Sequence, residues 1–415
     1  MSYDVVVCGA GVGGLAAACA LGRLGRSVLL LDKQEQVRPV AKGEVFQPGS
    51  LAILHEWGVT ERLEAAGALR LGKLVARDPQ GRPRMVLDYT RLPSQHNWLL
   101  AHDYPAILEA LTKSLPDTVE FRRGELVTGL VSAGGRVTGV QLDGDRVDAA
   151  LVVAADGMSS RLRREAGIEV RRVEYPHRLV ALELHDSPEV EPDFSAYVTV
   201  RGLLLRYALP DGRMRFYAQA GPDELRGLNA EGLDHWVTGV IRDAPALAPL
   251  EEAVRAHLSG RQVLPVSRFL APSLAVPGLA LVGESGHAVH PMAAQGMNSA
   301  IADAHELATM LRQGGSLAPA VVDHALGRYS AARRENLAHI GRTSHNAARM
   351  TTDLSWAGRF AGGRALRGTG RNDRIRYTVM HTMAGLGVHP LSPLDRLHQF
   401  GLLPDPRARQ LPSWA

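Results

Sequence analysis

A glycine-rich turn between two short apolar runs constrains this chain more than any other feature. Tyr3–Val7 is rich in β-formers and leads directly into Gly9-Ala10-Gly11-Val12-Gly13-Gly14. The small-residue stretch Leu15–Leu24 follows with helical character, and a second apolar run, Ser27–Leu31, ends in Asp32. Strand, turn, helix and strand in this order describe the opening of a doubly wound α/β sheet that binds a dinucleotide. Gly9 allows the tight turn, Gly11 leaves room for a pyrophosphate against the backbone, and Gly14 lets helix and strand approach. The first N–H groups of the helix attract phosphates. Asp32 stands where a carboxylate accepts hydrogen bonds from an adenosine ribose, with Lys33 beside it. Gly9, Gly11, Val12, Gly13, Gly14, Asp32 and Lys33 are therefore the candidate cradle, for either FAD or NAD.

The chain has 415 residues, enough for two or three domains around a large core. Its 47 basic and 43 acidic residues leave a net charge of +4 with no run of five like charges, which argues against nucleic acid as a partner. Two cysteines, Cys8 and Cys19, are too few for a disulfide framework and lack redox spacing, so a cytoplasmic setting is expected. The 16 histidines form no helical H-x-x-x-H site with an acid, and no metal is expected. Val5–Gly22 carries no charge, which invites reading it as a membrane span or signal peptide. The preceding Asp4, the lack of a basic flank and five glycines in the run oppose both readings. No integral membrane association is expected.

Two later segments decide which dinucleotide is bound. Ala150–Ala155 reads as a buried strand and ends in Asp156-Gly157-Met158-Ser159-Ser160-Arg161-Leu162-Arg163. Leu279–Val282 reads likewise and leads into Gly283-Glu284-Ser285-Gly286-His287-Ala288-Val289-His290-Pro291-Met292-Ala293-Ala294-Gln295-Gly296-Met297-Asn298. On these three fingerprints, in this order, the chain resembles the single-component (group A) FAD-dependent aromatic hydroxylases with a para-hydroxybenzoate hydroxylase-type fold. The resemblance implies an α/β protein: a Rossmann-like FAD-binding domain interleaved with a mainly antiparallel β-sheet substrate domain, plus a helical C-terminal region. It implies non-covalently bound FAD, transient NADPH or NADH, O₂ and a small organic substrate. Asp156 and Gly157 would lie by the FAD pyrophosphate, with Ser160 and Arg161 supporting that turn. Gly283 and Glu284 would approach the ribityl chain, and Pro291 would flank the isoalloxazine ring. Gln295, Gly296, Met297 and Asn298 would present N–H groups to the flavin pyrimidine edge, before the helix Ser299–Leu311. A reduced flavin is negative there, and a helix N-terminus stabilises that charge. Pro291, His290 and Gln295 are the candidate catalytic positions.

The chain departs from the family pattern in places. Glu284 replaces an aspartate, Ala294 replaces the first glycine of G-Q-G, and Ser285-Gly286 replace the common small pair before His287. The stretch Lys42–Gly49 resembles the segment from which the family directs a basic residue to the FAD phosphates; Lys42 is the candidate and Arg38 the second choice. The arginine expected before the helix Pro105–Leu115 is absent, and His102-Asp103-Tyr104 stands there.

His287 reads as a brace of its loop, since flavin oxygenation needs no histidine. His290 is read equally as a brace and as a group reaching the active cavity. Asp303-Ala304-His305-Glu306 reads as solvated surface. Arg201, Arg206 and Arg215 alternate with apolar residues along the strands Val198–Tyr207 and Met214–Gln219, the pattern of a half-buried sheet. For Arg206, Arg215 and Tyr217 the functional alternative is contact with a substrate carboxylate or phenolate.

The expected organisation is an FAD-binding domain from residues 1–72, 98–170 and 270–330, a substrate β-sheet domain from 73–97 and 171–269, and a C-terminal helical region over 331–415. In that last region a helix, Tyr329–Arg349, gives way to a glycine- and arginine-rich stretch, Gly358–Arg371, and then to a helix from Asp373 to Gly385. Met380, Met383 and Leu386 are expected to pack on the protein's own body rather than on a membrane. A monomer or homodimer is expected. The function implied is NAD(P)H- and O₂-dependent hydroxylation of a small aromatic or polyketide-like ring of secondary metabolism, through a flavin C4a-hydroperoxide. Squalene-epoxidase-like epoxidation, flavin-dependent reduction or halogenation, and a non-enzymatic flavin-binding role are the alternatives. No W-x-W-x-I-P halogenase signature occurs near Trp57, Trp98 or Trp236.

Overall fold

The computed structural model describes residues 2–37, 40–41, 43–186 and 191–415; Arg38 and Lys42, the candidates for the FAD phosphates, lie outside them. The strand Ser2–Cys8 is central to an eight-stranded sheet. It pairs in parallel with Val28–Asp32 and Arg146–Ala154, and the parallel set extends to Val119–Arg123 on one side and Leu279–Leu281 on the other. Val5, Val6 and Val7 are fully buried, which explains a run without polar alternation: helices cover both faces of such a sheet. The chain leaves three neighbouring strands at the same edge. Gly9 N–H donates to Leu31 O at 2.7 Å, Ala155 N–H to Cys8 O at 2.8 Å, and Val282 N–H to Ala154 O at 3.0 Å. The three fingerprints, the first and third of which start 274 residues apart at Gly9 and Gly283, therefore begin side by side.

The strands within 73–97 and 171–269 form a second sheet, joined by His287–Ala288 from the third fingerprint. Its pairings are antiparallel except between Phe194–Val198 and Lys73–Arg77. Alternation along the strands separates two faces. Val180, Leu182 and Phe216 meet the helices Ala230–Asp243 and Glu251–His257. Leu179, Ala181, Leu205, Tyr207 and Tyr217 meet the C-terminal helices, Ala41 and Val45. The expected strand Val198–Tyr207 is split: Phe194–Val198 ends and Leu203–Leu209 begins across a turn in which Thr199 Oγ1 donates to Gly202 O.

The C-terminal helices are Pro319–Thr352, Trp356–Arg371, Asp373–Met383 and Pro393–Gln399. Gly358–Arg371 is helical despite its glycines. Ser355 caps the helix by accepting from Gly358 N–H, and the glycines admit neighbouring backbone. A Cβ on Gly368 would lie 1.8 Å from Gln399 O, and one on Gly370 would lie 2.2 Å from Arg84 O. Met380 and Met383 are buried against the protein's own core. Among the described residues no helix is long and apolar enough to cross a membrane.

Candidate active site

The helix Val12–Gly22 begins at Gly11 with extended backbone, no capping side chain and no acid in its first turn. Its leading N–H groups thus have no helical partner and face the crevice at the strand ends. The glycines divide the work. A Cβ on Gly9 would sit 2.4 Å from Ala155 O and one on Gly14 1.8 Å from Gly9 O, so both are required for packing. Above Gly11 the nearest atom is Tyr104 Oη, at 3.4 Å, which leaves space for a ligand. Asp32 accepts from Ala10 N–H at 2.6 Å and Gln34 N–H at 2.7 Å, which fixes the carboxylate beside the turn. Lys33 is exposed.

At the second fingerprint, Asp156 Oδ2 accepts from Arg161 N–H at 2.8 Å and Leu162 N–H at 3.3 Å. Its Oδ1 is buried and has no hydrogen-bond partner among the described residues. A buried, unpartnered carboxylate oxygen at the mouth of a dinucleotide fold fits a site completed by a ligand. Ser160 supports the turn by accepting from Arg163 N–H, whereas the Arg161 side chain reaches Thr128 O at the surface. The tie across motifs is Arg163, which donates to Ser285 O at 2.7 Å.

The third fingerprint is held by Asp303, expected above as solvated surface, together with Arg333 and with His287, which braces the loop as expected. Asp303 is fully buried, not solvated. It accepts from Gly283 N–H at 3.0 Å, His287 Nε2 at 2.7 Å and Arg333 Nε at 2.7 Å. Burial works against the Asp303 carboxylate, but its pairing with His287 and Arg333 and the Gly283 N–H outweigh it and hold its pKa below the usual range. The signal for Asp303 and Arg333 was a charge placed on the apolar stripe of a helix, where only a paired ion survives. Glu284 is half-buried next to Gly283.

Helix Gln295–Gly314 starts at Ala294 without a capping side chain or first-turn acid. The N–H groups of Gly296 and Met297 thus lack helical acceptors. A Cβ on Gly296 would meet nothing within 4 Å, so the space in front of it is open. Gln295 Nε2 donates to Met383 O at 2.9 Å, which ties this N-terminus to the helix Asp373–Met383. Asn298 clips it to the 45–47 strand end, donating to Val45 O and accepting from Gln47 N–H. The two uncapped helices lie together, with the Cβ position of Gly13 3.5 Å from Ala300 Cβ. Ala294 has φ +49°, left-handed backbone that costs an alanine about 1 kcal/mol. Ala294→Gly is therefore expected to raise the apparent stability by up to about 1 kcal/mol, read as a higher melting temperature of the apoprotein.

Pro291 is exposed beside this helix start, and His290 before it is fully buried. His290 Nδ1 accepts from Met292 N–H at 3.1 Å, so its proton sits on Nε2 and donates to His177 Nε2, 3.0 Å away. The edge of one ring packs on the other between Tyr175 and His290, and Tyr175 Oη lies 3.0 Å from His345 Nδ1. Burial, then His177 and His345, push His290 down to about 3; burial, then Arg178, push His177 down to about 4. Both are neutral near pH 7. Their folded pKa values lie below the unfolded value of about 6.5, so the unfolded chain binds more protons and stability falls as pH drops from about 6.5 toward 3–4. Urea denaturation should show each histidine adding roughly 1.4 kcal/mol per pH unit in that window, and His290→Gln should flatten the slope.

On the sheet above, Arg215 is buried and held bidentate by Glu44, at 2.6 and 2.8 Å, with Glu183 at 2.9 Å. Burial disfavours its charge, but the hydrogen bonds it donates to Glu44 keep its pKa above the ordinary arginine value. Tyr207 Oη donates to Glu44 at 2.7 Å, and Tyr217 lies beside Tyr207 on the same face. Arg206 shares the opposite face with Leu204 and pairs with Asp193 at 3.4 Å, away from the fingerprints. The alternation that made Arg206 a candidate could not say which parity faces inward. Asp103, where the family would carry an arginine, instead grips Arg213 of the upper sheet at 2.6 and 2.7 Å. No cluster of three metal-ligating side chains occurs among the described residues.

A parallel set of strands with two bare helix N-termini, beside a mainly antiparallel sheet, is the frame of a flavoprotein of the aromatic-hydroxylase class, and the comparisons give the same class. The chain belongs to the FAD-binding-domain family, whose model matches residues 2–340, and it is an FAD-dependent monooxygenase. It is 30% identical over 311 residues to 6-methylpretetramide 4-monooxygenase of Streptomyces rimosus, across 72% of this chain and 73% of that protein. It is 26% identical to squalene monooxygenase of Mus musculus, across 72% of this chain but only 53% of that protein. Among solved structures, the fold is shared with PqsL of Pseudomonas aeruginosa in complex with 2-aminobenzoylacetate: TM-score 0.77, 23% identity, 85% of this chain and 98% of that one. It is shared also with p-nitrophenol 4-monooxygenase PnpA of Pseudomonas putida: TM-score 0.76, 20% identity, 92% of this chain and 98% of that one.

Proposed function

We propose that the chain hydroxylates a small aromatic or polyketide-like ring, with NADPH or NADH as electron donor and O₂ as oxidant. The observation that carries the reading is a pair of uncapped helix starts, at Gly11 and Ala294, on two helices that meet at Gly13 and Ala300, with the unpartnered Asp156 Oδ1 in the motif that packs on the Gly9 turn. The polycyclic substrate class is inferred from the Streptomyces relative. FAD, once reduced, supplies the oxygen-activating chemistry that no side chain provides. The N–H groups after Gly11 and the carboxylate of Asp32 hold its pyrophosphate and ribose, with Val12, Gly13, Gly14, Asp156 and Gly157 forming the wall. Gly283, Glu284 and Pro291 border the ribityl chain and ring. The N–H groups of Gln295 to Asn298 stabilise negative charge on the pyrimidine edge. Tyr217 and Tyr207 line the substrate side, and Arg215, bound by Glu44, positions them. The neutral His290–His177 pair holds one shareable proton between two Nε2 atoms next to Pro291.

The purified protein should be yellow and should consume NAD(P)H and O₂ when given a polycyclic phenol. With ¹⁸O₂, one labelled oxygen should enter the product. Substrate-dependent NAD(P)H oxidation without label would replace this reading by reduction, and a labelled epoxide would replace hydroxylation by epoxidation.

A further inference from the structure

The surplus positive charge of this protein is concentrated at its C-terminal end. Residues 354–415 hold nine arginines, no lysine and three aspartates, whereas residues 1–353 hold 38 basic and 40 acidic residues. The three aspartates are already engaged by Arg374, Arg376 and Arg409. Arg359, Arg367, Arg371 and Arg407 have no carboxylate within ion-pair distance among the described residues. Among the described residues, the same stretch supplies ten of the fifteen large hydrophobic side chains left exposed. Isolated exposed apolar residues need no explanation, but such a concentration marks a contact surface.

The helix Trp356–Arg371 arranges these groups. At 100° per residue, positions 356, 360, 364, 367 and 371 fall within one arc of about 80°. The buried residues Gly362, Ala365, Leu366 and Thr369 lie on the opposite side. Trp356 is 75% exposed and Phe360 54%, with their rings stacked at 5.7 Å. Arg364 lies 5.9 Å over the Phe360 ring. Further along the stripe, Arg364, Arg367 and Arg371 join Arg84 around a cavity of about 610 Å³. The exposed Leu402, Leu403 and Leu411 belong to the tail that follows.

We propose that this face docks the enzyme peripherally on an anionic phospholipid surface. Indole and phenyl rings settle at the level of the lipid headgroups, and arginines beside them meet the phosphates while their stems cover acyl carbon. Charge complementarity selects this occupant over a second copy of the chain, because two copies of this C-terminal stretch, each with an excess of six positive charges over residues 354–415, repel. The arrangement needs no membrane-crossing helix.

The test uses the full-length, FAD-loaded protein and extruded vesicles of phosphatidylcholine alone or mixed equally with phosphatidylglycerol. Wild type should sediment with the anionic vesicles, not with the neutral ones, and should be released by 0.5 M NaCl, on the order of the salt that collapses the Debye length. Arg367→Glu with Arg371→Glu should weaken partition at least about 30-fold. Trp356→Ala with Phe360→Ala should weaken it roughly tenfold. All four positions are on the exposed stripe, so melting temperature and NAD(P)H oxidation without vesicles should stay unchanged. Equal sedimentation with both vesicle types, none with either, or variants that bind like wild type would overturn the proposal. So would a dimer in sedimentation velocity that the aromatic double variant dissolves, which would assign the face to a second copy.

Discussion

Gly11→Asp is expected to give a folded, colourless protein. The backbone of Gly11, φ −72° and ψ −178°, is ordinary extended chain, and the nearest atom to an added Cβ is Tyr104 Oη at 3.4 Å. The substitution is therefore sterically tolerated. Aspartate at a helix N-cap even stabilises the helix relative to glycine, by about a few tenths of a kcal/mol, through its bond to the second or third N–H. That bond consumes the donors meant for the pyrophosphate and sets a carboxylate against it. Loss of the donors and like-charge repulsion together cost about 3 kcal/mol of FAD binding, roughly a hundredfold in affinity. The two effects have opposite signs. Thermal melting of the apoprotein should hold or rise while FAD titration by fluorescence collapses. Unaltered FAD affinity would mean that the phosphates do not rest on this helix.

Removing the carboxylate of Asp303 should be the most damaging single change to stability. Asp303→Ala leaves the guanidinium of Arg333, 5% exposed, without its counter-ion, and removes the acceptor of His287 and of Gly283 N–H. Breaking a buried ion pair from one side costs about 3–5 kcal/mol. For a chain of this length that is a fall of roughly 3–6 °C in melting temperature. The loop Gly283–Ser285 loses its anchor, so the apoprotein should also rebind FAD more slowly and more weakly. Asp303→Asn keeps an acceptor of the same shape without the charge, and an intermediate loss is expected. An alanine variant as stable as wild type would show that Arg333 is neutralised elsewhere.

Fingerprint chemistry was legible in the sequence because it is local. The turn at Gly9–Gly14, the strand ends at Asp32 and Asp156, and the helix start at Gln295 depend on residues a few positions apart, whose backbone needs are written in glycines and small side chains. The parallel order of those strands also follows, since a strand–helix–strand crossover permits little else. Helix ends were less legible, and Gly358–Arg371 concealed a helix because its glycines serve neighbours that only the fold supplies.

What the amino-acid order alone determined is the nucleotide-binding scaffold and the identity of its cofactor class. Tertiary structure alone decided which charges are paired, which strand parity looks inward and which surface is left over. Asp303 meets Arg333 and His287, Glu44 meets Arg215, and His177 meets His290 across separations that no local pattern encodes. An arginine in an alternating strand has the same sequence signature whether it faces a partner, a ligand or water. Its pKa and its role are set by the low-dielectric neighbour that packing brings to it, and that neighbour is chosen by the register of the whole sheet.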